Sequence, residues 1–284
     1  MKRSKWPRRI ARGLGIAALL YVAACAYMWA MQREIVFLPS PIFQTSPDRL
    51  GMKFEELRIA VGGGNDKAEL HGWWIPADTQ GVATLLYLHG NYRNIANNLE
   101  HTLRLHNMGY NVLLVDYRGF GKSTGSSSEA HVYQDAEATW QYLLKVRHVK
   151  PTQAFIYGHS LGGSVAVDLA VHHPEAAGVI TESTFTSMQA MGEIEYGFLP
   201  VGKLLNQRFD TLNKIPQLKI PLLVIHGTWD KKVPVEMAQQ LYAAAANPKS
   251  LLLIEGGEHN NSGSIGVVEY RNVLANFVRR NSRN

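Results

Sequence analysis

The chain has 284 residues, 46% of them hydrophobic and 18% charged, enough apolar material for the core of one sizeable domain. Its formal net charge of +6 is local: Lys2, Arg3, Lys5, Arg8, Arg9 and Arg12 are six of 29 basic residues, and the other 23 balance 23 acidic ones. A neutral remainder excludes nucleic-acid binding, which needs basic residues on the folded part. The single cysteine, Cys25, excludes disulfides, a thiol nucleophile and a thiolate metal site from the globular region.

After the basic cluster, residues 13–31 form an uncharged run of about 19 residues, near the length that crosses a bilayer. Basic residues precede it and only Arg33 follows closely, so the positive-inside rule puts the N-terminus in the cytoplasm and the rest outside. Tyr27 and Trp29 suit an interfacial aromatic belt. The expected organisation is an anchor over residues 1–33 and a catalytic domain over 34–284. A buried core helix and a cleaved signal peptide are alternatives. A lipoprotein is another, because Val22-Ala23-Ala24-Cys25 matches a lipobox. Against cleavage, the apolar run continues through Ala26, Tyr27, Met28 and Trp29.

Two alternating runs, 54–61 and 68–75, flank a Gly/Asn/Asp loop and predict an antiparallel hairpin. Short apolar runs then follow at 83–88, 111–115, 154–157, 178–181, 222–225 and 250–254. Amphipathic stretches lie between and after them at 94–107, 128–146, 161–172, 235–245 and 264–279. The alternation predicts an α/β fold: a mostly parallel central sheet with helices on both faces and the hairpin at one edge. Residues 184–218 interrupt it with Met188, Met191, Tyr196, Phe198 and Leu199 among few charges. This is expected to be a small helical lid, with a plain connecting helix pair as the alternative.

Gly158-His159-Ser160-Leu161-Gly162 fits G-x-S-x-G. The five-residue pattern alone is weak, but its setting between an apolar strand and a small-residue helix is specific. Glycines permit the sharp turn that lifts a serine into solvent, and the helix N-terminus favours an oxyanion. Ser160 is therefore the candidate nucleophile, and it needs a base.

Elbows of this kind carry the acid and then the histidine after the serine. His172 and His173 end the helix that begins at Ser160, and His226 sits on a core strand, so His259, just after the run 250–254, is the candidate base. Asp230, in the turn after 222–225, is the candidate acid, with Glu182 after 178–181 in reserve. The backbone N–H groups of Leu161 and of Asn91, in His89-Gly90-Asn91, are the expected oxyanion hole. Tyr92 is a neighbouring candidate for the substrate pocket, with Met188, Met191, Phe198 and Leu199 of the lid.

His89-Gly90-Asn91, the run Asp116-Tyr117-Arg118-Gly119-Phe120-Gly121-Lys122-Ser123-Thr124-Gly125 and Gly158-His159-Ser160-Leu161-Gly162-Gly163 stand in that order. With His226-Gly227-Thr228-Trp229-Asp230-Lys231-Lys232-Val233-Pro234 and Gly256-Gly257-Glu258-His259-Asn260, these segments resemble the serine-hydrolase branch of the α/β-hydrolase superfamily. With its N-terminal anchor the chain is similar to the membrane-bound esterase and acyl-thioesterase members, and the branch also includes serine peptidases and aminopeptidases. The resemblance implies cleavage of an acyl ester or thioester, with a peptidase as the alternative, and a small-molecule or lipid-like acyl substrate without metal or cofactor. It departs at Glu258 and Asn261, where Gly and Asp are usual, and Glu258 beside His259 is expected to raise the imidazole's basicity. Gly121-Lys122-Ser123 resembles the end of a P-loop, but Asp116 stands where that motif requires Gly.

Overall fold

The apolar runs become the strands of one eight-stranded sheet in a computed structural model that describes residues 6–79 and 83–282. Lys2, Arg3 and Lys5 of the basic cluster lie outside the described residues. The strands are β1 (Glu55–Val61), β2 (Ala68–Ile75), β3 (Thr84–Leu88), β4 (Asn111–Val115), β5 (Ala154–His159), β6 (Gly178–Glu182), β7 (Leu222–Gly227) and β8 (Lys249–Ile254). Their order across the sheet is β1-β2-β4-β3-β5-β6-β7-β8. β1 and β2 pair antiparallel from Glu55 opposite Trp74 to Val61 opposite Ala68, and β2 also runs antiparallel to β4. All later pairings are parallel.

The helices are α1 (Trp6–Val36), α2 (Leu99–Asn107), α3 (Glu129–Lys145), α4 (Leu161–His172), α5 (Met188–Glu195), α6 (Val201–Leu204), α7 (Thr211–Lys214), α8 (Val235–Ala244), α9 (Ser262–Ile265) and α10 (Val267–Asn281). Alternate strand residues feed two cores, as the pleat requires. Leu86, Leu88, Ile156 and Val224 meet Trp140 of α3, Val165 of α4 and Leu241 of α8. Leu85, Tyr87, Phe155 and Ile225 meet Leu105 of α2 and Leu274 and Phe277 of α10 on the other face. Each sheet face is therefore covered, which is why the strand runs are apolar throughout.

Three boundaries differ from the sequence reading. The helix expected over 94–107 begins as a 3-10 turn, Ile95–Asn98, because extended Asn94 caps Ala96 N–H with its side chain and ties the chain back to Ser40 and Ile42. The C-terminal helix is broken at Gly266, whose Cα abuts Ile254, so α9 and α10 replace one element. The helix over the apolar run 13–31 is longer than the run and continues as α1 through Gln32, Arg33 and Glu34 across the expected domain boundary to Val36. Its portion Arg9–Val36 is long and apolar enough to cross a membrane. Leu14, Ile16, Leu19, Leu20 and Val22 are all exposed.

The insertion 184–218 folds as α5, α6 and α7 and is fastened at its far end. Glu129 accepts from the N–H groups of Arg208 and Phe209, and Lys214 binds Asp168 of α4 at 2.7 Å. Its near end packs on α1, where Met28 is buried with Leu199, Val201 and Leu205.

Candidate active site

The strand order reverses between β3 and β5, and in open α/β sheets the crevice at such a switch point, at the carboxyl ends of the strands, is where ligands bind. Both strands end there in glycine-bearing turns. Ser160 follows β5 with φ 55° and ψ −121°, a left-handed backbone that a non-glycine residue adopts only under strain, of order 1–3 kcal/mol. Neighbouring glycines make the turn possible: a Cβ on Gly158 would collide with the Gly162 carbonyl, and one on Gly162 with the carbonyls of Leu88 and His89. The elbow is held from the side by Ser160 N–H, which donates to the Glu182 carbonyl at 2.9 Å.

His259 and Asp230 converge on this serine from the ends of β8 and β7. His259 Nε2 lies 3.1 Å from Ser160 Oγ, and its Nδ1 lies 2.8 Å from Asp230 Oδ2. Asp230 Oδ1 accepts in addition from the N–H groups of Lys232 and Val233, both at 2.9 Å. Burial by itself would raise the Asp230 carboxyl pKa, but the bond and charge of His259 with these two N–H groups outweigh it and hold it below the usual range. Asp230 is thus an anion at neutral pH, and His259, with Nδ1–H directed at it, presents Nε2 to the serine hydroxyl. That arrangement can accept a proton from Ser160.

Glu182, the reserve acid, lies elsewhere. It is fully buried, accepts from Tyr157 Oη, and has His101 Nδ1 at 3.6 Å. Its strand register sets it opposite His159, so its side chain enters the α2–α10 face and not the crevice. His226 is a buried core histidine, as its strand position suggests, with Nε2 bonded to the Val233 carbonyl at 2.9 Å and Nδ1 left without a partner among the described residues. The Glu258 side chain is exposed and engages Asn261 Nδ2, so the expected action on the imidazole has no direct contact behind it.

Gly90 packs against Ser160, its Cβ position about 3.4 Å from Ser160 Cβ, which brings the loop carrying Asn91 to this serine. Among the described residues neither Asn91 N–H nor Leu161 N–H has a protein acceptor, so both are available to donate to a group bound there.

The five substrate-pocket candidates do not share one pocket. Met188 and Met191 are partly buried against the main core, Leu199 turns toward α1, and Phe198 is 70% exposed. Tyr92 is exposed and stacks with its own neighbour Arg93. Instead, a cavity of about 240 Å³ adjoins the imidazole, lined by Trp229, Lys231, Lys232, Glu258, His259, Asn260 and Asn261. Trp229 was passed over in the sequence although it directly precedes Asp230, and so was His159, which directly precedes Ser160. Their adjacency to those residues was the available signal.

The sheet order and the nucleophile elbow define the α/β-hydrolase architecture. Comparison with known proteins agrees. The family described as serine aminopeptidase, S33, matches residues 79–214. An uncharacterized protein of Mycobacterium tuberculosis (strain H37Rv) is 34% identical over 249 residues, which cover 87% of each chain. The alpha/beta hydrolase domain-containing protein WAV2 of Arabidopsis thaliana is 30% identical over 296 residues, covering 93% of this chain and 95% of that protein. Among solved structures, an esterase of Pyrococcus furiosus superposes with a TM-score of 0.69 at 23% identity, covering 87% of this chain and 98% of that one. The chain belongs to the α/β-hydrolase family.

Proposed function

We propose that the protein is a membrane-anchored serine hydrolase that cleaves an acyl ester or thioester through an acyl-enzyme on Ser160. The observation that carries this reading is the unbroken hydrogen-bonded series from Asp230 through His259 to Ser160 Oγ, at 2.8 and 3.1 Å. Ser160 attacks the carbonyl carbon as His259 Nε2 takes its proton. The N–H groups of Leu161 and Asn91 receive the oxyanion, and His259 protonates the leaving group. Water, activated by the same imidazole, then releases the acid.

Residues 34–284 form the catalytic domain in this reading, with 184–218 as its lid and 1–33 as the anchor. The N-terminus is cytoplasmic and the catalytic domain extracytoplasmic. Packing of Met28 and Gln32 on the insertion favours retention of α1 over its removal as a signal peptide. Metabolic lipid labelling at Cys25 would replace the anchor with a lipoprotein. The small cavity beside His259 suits a short acyl chain or a compact leaving group.

The test is a fluorophosphonate probe, which should label the wild type and spare Ser160→Ala, followed by acetyl to octanoyl p-nitrophenyl esters and aminoacyl amides. Ester turnover favouring short chains supports the proposal. Poor ester turnover with efficient release of amino acids from the amides would make the protein a peptidase, in keeping with the aminopeptidase family that matches its central region.

A further inference from the structure

α1 does not stop at the surface of the catalytic domain. On one side Met28 is buried among Leu199, Val201 and Leu205. One turn later Gln32, only 2% exposed, accepts through Oε1 from the N–H of Asn206 at 2.6 Å and of Gln207 at 3.3 Å. Its Nε2 donates to the Trp29 carbonyl at 2.8 Å, which holds the carboxamide in that orientation. A buried glutamine whose two ends are both satisfied specifies one register of helix against lid.

On the other side the last carbonyl of α1, that of Val36, accepts from Asn91 Nδ2 at 2.6 Å. Leu38 N–H donates to the Asn91 carbonyl at 2.9 Å, and Ser40 N–H to the Arg93 carbonyl at 3.0 Å. Asn91 is thus gripped by its side chain and its carbonyl, and both grips come from the end of α1 and the residues just after it. The Asn91 N–H shares its peptide plane with the Gly90 carbonyl, which His89 Nδ1 holds at 2.7 Å, so its aim depends on that bond and on these partners together.

We propose that the C-terminal end of α1 is a positioning element for the oxyanion loop. Asn91, through its side-chain bond to Val36, works with the His89–Gly90 bond to set the direction of its own N–H, and Gln32 and Met28 hold α1 in register for it. The proposal rests on the reading that Ser160 and the Asn91 N–H serve the chemistry. It makes the apolar helix part of the catalytic scaffold as well as an anchor. An oxyanion donor acts only if it is aimed to within a few tenths of an ångström, so loosening the helix weakens the transition state more than the ground state.

The test uses the full-length protein in detergent micelles with p-nitrophenyl butyrate. Asn91→Ala keeps the N–H but removes the bond to Val36, and should lower kcat by about ten- to a hundredfold with KM within about twofold, somewhat less than outright loss of a donor. Asn91→Asp, of equal size but repelled by the Val36 carbonyl, should do the same and serves if the alanine variant fails to fold. Gln32→Leu, which removes the acceptor at similar volume, should also lower kcat with KM little changed. Wild-type kcat in the Asn91 variants, with Ser160→Ala inactive, overturns the proposal. So does a Gln32→Leu variant with wild-type kcat, or one whose loss appears in KM and thermal midpoint and not in kcat. Activity in Ser160→Ala would instead overturn the reading beneath it.

Discussion

His159 Nε2 donates to the main-chain carbonyl of His259 across 2.9 Å, joining the elbow after β5 to the loop after β8. The His159 ring lies between those of His101 and His259, with centroids 4.9 and 5.2 Å away. Burial, with the neighbouring His101 and His259, pushes its pKa down to about 3, so the ring stays neutral and keeps its N–H for this bond. His159→Ala should lower kcat by roughly tenfold as the His259 loop loosens, by analogy with other groups that orient a catalytic residue. His159→Gln, whose amide also donates, should retain more. Steady-state kinetics on both variants checks this.

The same burial makes stability sensitive to acid. In the unfolded chain His159 takes a proton near its ordinary pKa of about 6.5, while the folded protein refuses it until about 3. The unfolded state therefore binds more protons across that window, and stability present above about pH 6.5 is lost progressively as the pH falls. Glu182 acts with the same sign at lower pH. Burial alone would raise its pKa, but the His101 bond and charge and nearby Arg104 outweigh this and hold it below the ordinary value, so its contribution is lost as the unfolded carboxylate takes a proton. The thermal midpoint should fall steadily from pH 7 to pH 4, and His159→Gln should flatten the upper part of that slope in scanning calorimetry.

Asp230 and Glu182 should separate into rate and stability. Asp230→Asn keeps the shape but leaves His259 in the wrong tautomer, and kcat should drop by roughly two to four orders of magnitude with little change in thermal midpoint. Glu182→Gln should spare most of the rate. It disturbs the buried bond to Tyr157, which itself meets Tyr270 at 2.8 Å, and should cost about 1–3 kcal/mol of stability. Chemical denaturation and turnover of the two variants, measured side by side, decide the assignment; the opposite pattern would move the acid to Glu182.

Arg118 is a buried structural cation in a loop that sequence resemblance singled out. It donates to Asp135 at 2.6 Å, Asp66 at 2.9 Å, Gln134 at 2.6 Å and the His131 carbonyl at 3.2 Å, with its side chain 1% exposed. Lysine keeps the charge but cannot reproduce that fork, so Arg118→Lys should destabilise by about 1–3 kcal/mol, the usual cost of leaving buried acceptors unpaired. Activity per folded molecule should be unchanged. Denaturant melts with active-site titration test both statements.

The sequence alone determined the sheet, because strands buried on both faces must be apolar throughout and their runs are visible without any contact being known. It also located Ser160 and His259, since a glycine-framed serine between strand and helix, and a histidine just past a later strand, are local features at one sheet edge. The sequence preferred Asp230 to Glu182, but the physical reason lies in the tertiary structure. Glu182 ends β6, where the pleat turns it into the core, whereas Asp230 lies in the turn after β7, whose path brings its carboxylate to the imidazole. The neighbours Phe198 and Leu199 were equally beyond reach, one exposed and the other buried against α1. Apolarity says that a side chain gains by burial, but which of two adjacent apolar residues is buried depends on what packs there. Here that surface is a helix more than 160 residues earlier in the chain, and its last turns read in sequence only as the end of a membrane segment.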